Sequence, residues 1–180
     1  MTARTTAKLE LLVYPDLRLR QACLPVERVS ADLAALAERM LALMVEAEGV
    51  GLAAPQVGRT VRMFVCNATG KPADNQVWIN PRIVERGGTI ESEEGCLSIP
   101  KVRVTVRRAA EVTLEAQDLS GKTVRRAASE LLARVWQHEI DHLDGKLIID
   151  RMSEADKIAT RRQLRELERA AKPAPRPKRR

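Results

Sequence analysis

Aromatic side chains are almost missing from this sequence: its 180 residues hold two tryptophans, one tyrosine and one phenylalanine. Since 44% of the residues are apolar, any core has to be built from Leu, Val, Ile and Ala. Long apolar runs are missing as well; none approaches the roughly 18 residues of a membrane-spanning helix, so no membrane partner is expected. Met1 to Lys8 carries no apolar stretch and is short for a transit peptide, which makes a cytoplasmic protein the expectation. Cysteine is scarce: Cys23, Cys66 and Cys96 are odd in number and form no C-x-x-C pair, which argues against a disulfide framework. Cys23 and Cys66 sit among apolar residues and are expected in the core. Histidine is scarcer still. There are two, His138 and His142, and they lie in one stretch, Gln137-His-Glu-Ile-Asp-His-Leu-Asp-Gly145.

What is present in that stretch has a geometry. At about 100° and 1.5 Å per helical residue, His142 falls roughly 40° round from His138 and about 6 Å along the axis, so both rings leave one helix face. Glu139, about 60° from His142, flanks that face and can reach something bound between the rings. Two imidazoles with a carboxylate beside them are a metal-hydrolase arrangement. Two buried helix histidines with a surface glutamate would be the bland alternative, but two histidines placed at random fall four apart only about once in ninety times. A metzincin reading fails at its third histidine, where the chain has Ile148. A catalytic site of this kind needs a third protein ligand and an open position for water. Cys96 suits that ligand best, in its glycine-flanked turn; Glu94 and Glu154 remain open by spacing.

Positive charge is unevenly spread. Of the formal net charge of +7, Lys172, Arg176, Lys178, Arg179 and Arg180 supply five, leaving +2 for Met1 to Ala171. Basicity is thus a property of a tail expected to be disordered, not of a nucleic-acid-binding face.

Along the chain, residues 9 to 29 read as an extended, loop-rich entry broken at Pro15-Asp16. Ser30 is a natural N-cap, and Leu33, Leu36, Ala37, Met40, Leu41 and Met44 keep helical spacing, which predicts a helix over 31–48 stopped by Gly49. The small residues Gly49 to Gln56 read as a cap and turn that lets another chain come close. Strands are expected at 62–66 and 77–79, with Trp78 in the core, and at 102–106 and 112–116, where valines alternate with polar residues. The last of these turns at Asp118-Leu-Ser-Gly121 into 122–126 as a hairpin. Glu91 to Pro100 reads as an acidic loop leading to Cys96. Ser129 is the expected cap of the motif helix, Trp136 packs inward, and Gly145 ends it. Ser153 opens a final surface helix with Asp156 at its third position and a thin stripe of Ile158, Leu164 and Leu167. Together these predict an α+β domain over 1–171, with antiparallel or mixed sheets packed around the central motif helix, and a basic tail over 172–180.

Three separated blocks then coincide with one family: Gly49 to Gln56 as G-x-G-L-A-A-x-Q, Glu94 to Ser98 as E-G-C-L-S, and Gln137 to His142 as Q-H-E-x-D-H. In these blocks, in their order and in the strand pattern from Leu9 to Met152, the chain resembles the peptide deformylases. The resemblance implies removal of formate from the N-formyl-methionine of bacterial or organellar nascent peptides. It implies Cys96, His138 and His142 as ligands of one divalent metal, ferrous iron in the cell, with zinc, nickel or cobalt able to take the same site. Iron beside a thiolate would make the protein oxygen-sensitive. Glu139 would carry the proton from water to the leaving amine, and the Gln56 amide and the Leu97 N–H would donate to the oxyanion. Val50 and Gly51 would line the cleft, the glycine letting the peptide backbone approach; an apolar pocket near Leu131 would take the methionine side chain, and Arg103 would touch the nascent peptide. A monomer is expected, with the basic tail as a means of docking at the ribosome.

Two other readings of the residues are a zinc endopeptidase with a downstream glutamate as third ligand, and a catalytically silent ribosome-binding protein. An intact Glu139 and Gln56 speak against the silent protein, which would not need a general base.

Overall fold

The computed structural model describes residues 9–171. The basic segment from Lys172 to Arg180, expected to be disordered, lies outside the described residues.

Ser30 caps the first helix as its sequence suggests: its Oγ accepts the Leu33 N–H at 3.2 Å and α1 runs over Ala31–Glu46. Leu33, Leu36, Ala37, Met40 and Met44 form its buried face. The helix ends short of the expected 48, and Gly49 is not the residue that turns it. Glu48 takes the left-handed conformation, φ 55°, while the Gly49 N–H returns to the Met44 carbonyl at 2.9 Å.

The small-residue stretch that follows is a strand, β1 (Gly51–Ala53), closed by a 3-10 turn at Ala54–Val57. Six more strands succeed it: β2 (Met63–Cys66), β3 (Gln76–Gly87), β4 (Ile90–Cys96), β5 (Ile99–Arg108), β6 (Glu111–Gln117) and β7 (Thr123–Ser129). Five of them form one sheet in the order β1-β2-β3-β6-β7, and β4 and β5 form a separate hairpin; all these pairings are antiparallel.

Two expectations need correction here. The strand expected at 77–79 continues to Gly87, because a register shift between Ile79 and Arg82 absorbs Pro81, which cannot donate to the ladder. The acidic loop is the strand β4, whose carboxylates meet cations: Glu91 lies opposite Arg107 in the register, and Glu94 reaches Arg108.

Helix α2, Glu130–Leu143, carries the histidine motif and touches all five strands of the larger sheet. On β2, Met63 and Val65 point to the α1 side while Phe64 and Cys66 point to α2. The short strands β1 and β2 are therefore buried on both faces, and every residue of β2 is apolar. Trp78 and Trp136 meet edge to face, centroids 5.4 Å apart, and both indole N–H groups donate to Gln76 Oε1 at 3.1 and 3.3 Å. At the start of α2, Ser129 holds the cap position but its side chain makes no cap bond; the Glu130 N–H goes instead to the Ala110 carbonyl at 2.9 Å. Gly145 ends the helix as expected, with φ 72°.

Ser153 Oγ accepts the Asp156 N–H at 3.1 Å and opens α3, Glu154–Ala171, on the surface against β5. Its inner stripe is Thr160, Leu164 and Leu167; Ile158, expected on that stripe, is 79% exposed because it lies on the opposite side of the helix from Thr160. Among the described residues no helix is long and apolar enough to cross a membrane.

Candidate active site and metal centre

Helical periodicity brings the two imidazoles together as computed from the sequence: their centroids are 5.0 Å apart. The hairpin β4-β5 brings the third group. After a register shift between Gly95 and Cys96 the cysteine closes the ladder opposite Ile99, and its Sγ lies 3.2 Å from His142 Nε2. One ligand atom from each of Cys96, His138 and His142 falls within 4.8 Å of the other two. A tetrahedral ion with nitrogen at about 2.0 Å and sulfur at about 2.3 Å spaces its ligand atoms roughly 3.3 to 3.6 Å apart, so this donor set fits one d-block cation. Glu154, open as third ligand from spacing, is exposed and paired with Lys157 at 2.5 Å. Glu94 is close but has another task.

That task is to hold His138. Glu94 Oε2 lies 3.1 Å from His138 Nδ1, which leaves Nε2 as the ligand atom. Arg108 grips the same carboxylate through two bonds of 2.5 and 2.9 Å and reaches Asp141 Oδ2 at 2.9 Å, and Arg151 closes the chain on Asp141 Oδ1 at 2.5 Å. Burial by itself would raise Glu94, but the hydrogen bonds from His138 and Arg108 outweigh it and hold the carboxyl at about 2. The roles of Arg108 and Asp141 were not read from the sequence, though a signal existed. Arg108 falls on the same alternating phase as Val102, Val104 and Val106, the buried face of β5, where an arginine requires partners.

The two histidines are tuned apart. Burial and the positive neighbours His138 and Arg108 press His142 well below its ordinary value, so it stands as a neutral imidazole with its Nδ1 unpartnered. Burial would lower His138 too, yet the hydrogen bonds to Cys96 and Glu94 push it well above. Glu139 is buried, and that burial raises its carboxyl to about 7; its Oε2 has no partner. A buried carboxylate oxygen without a donor is costly unless a proton-bearing group comes to it.

Gln56 faces this cluster in a fixed orientation. Its Oε1 accepts the Ala53 N–H at 2.8 Å, which turns Nε2 toward Ser98 Oγ at 3.1 Å and Cys96 Sγ at 3.6 Å. Leu97 occupies the two-residue loop after Cys96 and packs over Gly49, where an added Cβ would meet its Cδ1 at 2.7 Å.

A cleft of about 490 Å³ opens over these groups. Val50, Gly51, Gln56, Cys96, Leu97, Arg103, Leu131, His138 and Glu139 all line it, as does Glu94, whereas His142 is buried and neither it nor Glu154 belongs to the lining. Arg103 sits on the rim, paired with Glu93 at 3.2 Å. Lys101, Arg134 and Val135 also line the cleft and were not foreseen.

The sequence profile of polypeptide deformylases matches residues 8–158. This chain belongs to the polypeptide deformylase family. It is 44% identical over 162 residues to the peptide deformylase of Acidobacterium capsulatum, covering 89% of this chain and 95% of that one. To the peptide deformylase of Nitrosococcus oceani it is 46% identical over 147 residues, 82% of this chain and 88% of the relative. A crystal structure of a peptide deformylase from Legionella pneumophila superposes with a TM-score of 0.85 at 43% identity, covering 93% of this chain and all of that one. As a deformylase the chain is a metal-dependent hydrolase that removes the formyl group from the N-terminal formyl-methionine of newly made polypeptides. Deformylation needs an activated water, a proton carrier and donors for a developing oxyanion.

Proposed function

We propose that Cys96, His138 and His142 hold one divalent ion, Fe²⁺ in the cell and exchangeable for Zn²⁺, Ni²⁺ or Co²⁺, and that Glu139 is the proton carrier of formyl hydrolysis. The observation that carries this reading is the Cys96–His142 contact of 3.2 Å with a buried, unpartnered Glu139 oxygen beside it. When bound, the cation would supply Lewis acidity and lower the pKa of a water toward about 7. Glu139 would take a proton from the attacking water as its oxygen adds to the formyl carbon, and would return it to the methionine amine as the C–N bond breaks, leaving formate and a free N-terminus. A positioned carrier of this kind contributes about 10²- to 10⁴-fold. The Gln56 Nε2 and the Leu97 N–H donate to the oxygen that becomes negative in between; each donor is worth about 10²- to 10³-fold.

Val50 and Gly51 form the strand side of the cleft, Leu131 the apolar wall for the methionine side chain, and Arg103 a contact to the peptide beyond it. The substrates are nascent chains in the cytoplasm, met by a monomer whose single catalytic unit spans 1–171. Lys172 to Arg180 would add attraction to ribosomal RNA. Formate release from a formyl-methionyl peptide by anaerobically purified protein tests the central claim, with metal content measured in parallel. Wild type should turn over with about one metal per chain, and Glu139→Ala should keep the metal and lose the activity. Full activity in Glu139→Ala would sink the assignment of the carrier, and absence of metal would sink the centre.

A further inference from the structure

Three motif blocks meet at the site, and they interlock through side chains that two glycines lack. Gly49 leaves room for Leu97 of the second block; Gly51 leaves room for Glu139 of the third. The second relationship is the tighter. A Cβ built on Gly51 would lie 2.3 Å from Glu139 Oε1, 2.9 Å from its Cδ and 3.0 Å from its Cγ. All three nearest atoms belong to that one side chain.

We infer that Gly51 is a positioning residue for Glu139: the bare Cα of β1 is the seat on which the carboxylate rests. This deepens the reading of Glu139 as proton carrier and rests on it. Conformational freedom does not explain the glycine, since Gly51 is absent from the residues in the left-handed region. Approach of a substrate backbone, the expectation from sequence, competes with it, because Gly51 also lines the cleft.

The elements on either side of the contact have little room to yield. Gly51 is paired with Cys66 in the ladder, and the adjoining Leu52 is buried under α1. Glu139 is flanked on α2 by His138 and by Ile140, which is held in the core. An added methyl group would therefore be accommodated by the Glu139 side chain itself, a flexible group whose displacement leaves the fold intact. To restore an ordinary contact the carboxylate would move by about 1 Å, and a misplacement of that size in a reacting group can cost about 10²-fold.

The experiment is Gly51→Ala, alone and combined with Glu139→Asp, whose shorter side chain has no atom where the Glu139 oxygen nearest the added methyl lies. Kinetics on a formyl-methionyl peptide, metal content and a crystal structure of metal-loaded Gly51→Ala are the readouts. The expected result is a kcat lowered by about 10²-fold with KM nearly unchanged, a full metal complement, and a displaced Glu139 carboxylate over unmoved Cys96, His138 and His142. In the Glu139→Asp background the same substitution should cost less than about threefold. An equal loss in both backgrounds, a loss confined to KM, or a carboxylate left in place would overturn the inference and return Gly51 to the substrate. If the wild type releases no formate, the reading of the reaction fails, while the carboxylate position in the variant still decides the positioning role.

Discussion

Arg108 holds Glu94 by two parallel bonds, Nε to Oε1 at 2.5 Å and Nη2 to Oε2 at 2.9 Å, with both side chains at most 7% exposed. Through that carboxylate the arginine acts on His138, and through Asp141 on the last turn of the motif helix. A ligand oriented in this way typically loses 10- to 100-fold in metal affinity when its partner is removed.

Arg108→Met is accordingly expected to weaken metal binding by about 10- to 100-fold, measured by competition with a chelator. It should also destabilise the fold by about 3 to 5 kcal/mol in denaturant titration, because buried Glu94 loses both of its arginine bonds and keeps only His138, while Asp141 is left with Arg151 alone. Arg108→Met/Glu94→Gln should recover part of the stability and not the affinity.

Thiol chemistry separates the three cysteines. Burial pushes Cys23 up to about 11 and Cys66 up to about 12, whereas Cys96 lines the cleft. Metal-free native protein at pH 8 should carboxymethylate rapidly at Cys96 alone, and all three should react once it is unfolded. Cys96→Ser should abolish stoichiometric metal binding, while Glu154→Ala should leave it unchanged; the reverse pattern would favour the endopeptidase arrangement.

Glu139 supplies a pH-dependent instability in the metal-free protein. Its folded carboxyl stands at about 7 against an ordinary 4.5, so the folded state binds the proton more tightly. Its contribution is fully present below about pH 4.5 and is lost as the pH rises through about 7. Metal-free Glu139→Gln should therefore gain stability over the wild type as the pH goes from 5 to 8, by roughly 3 kcal/mol at most. Thermal melts across that range would show it, and parallel curves would contradict the burial argument.

Gln76 joins the two tryptophans, its Oε1 accepting from both indoles and from Cys66 Sγ at 3.4 Å. Gln76→Leu removes the acceptor and leaves two largely buried N–H groups unsatisfied, at about 1 to 3 kcal/mol each. Lower stability, altered tryptophan emission and unchanged kcat/KM are the expected outcome.

Sequence alone determined whatever depends on neighbours along the chain. The 3.6-residue period placed both imidazoles and Glu139 on one side of α2, the Ser30 and Ser153 caps opened α1 and α3, and the alternating valines of β5 and β6 marked their buried faces. Those signals are local because helix and strand angles are fixed by the backbone within a few residues. Tertiary structure decided what depends on distance between elements. It chose Cys96 over Glu94 and Glu154 as the third group at the centre, since spacing along a chain says nothing about how a hairpin folds over a helix. It turned an acidic loop into β4 by supplying Arg107 and Arg108 on the facing strand, and it made Glu94 the partner of His138. The glycines at 49 and 51 read as a cap and a gap for substrate; only with β1 packed under α2 and the hairpin does each missing Cβ prove to be filled by Leu97 or Glu139. An absent atom has no partner until the chain that occupies its place has folded against it.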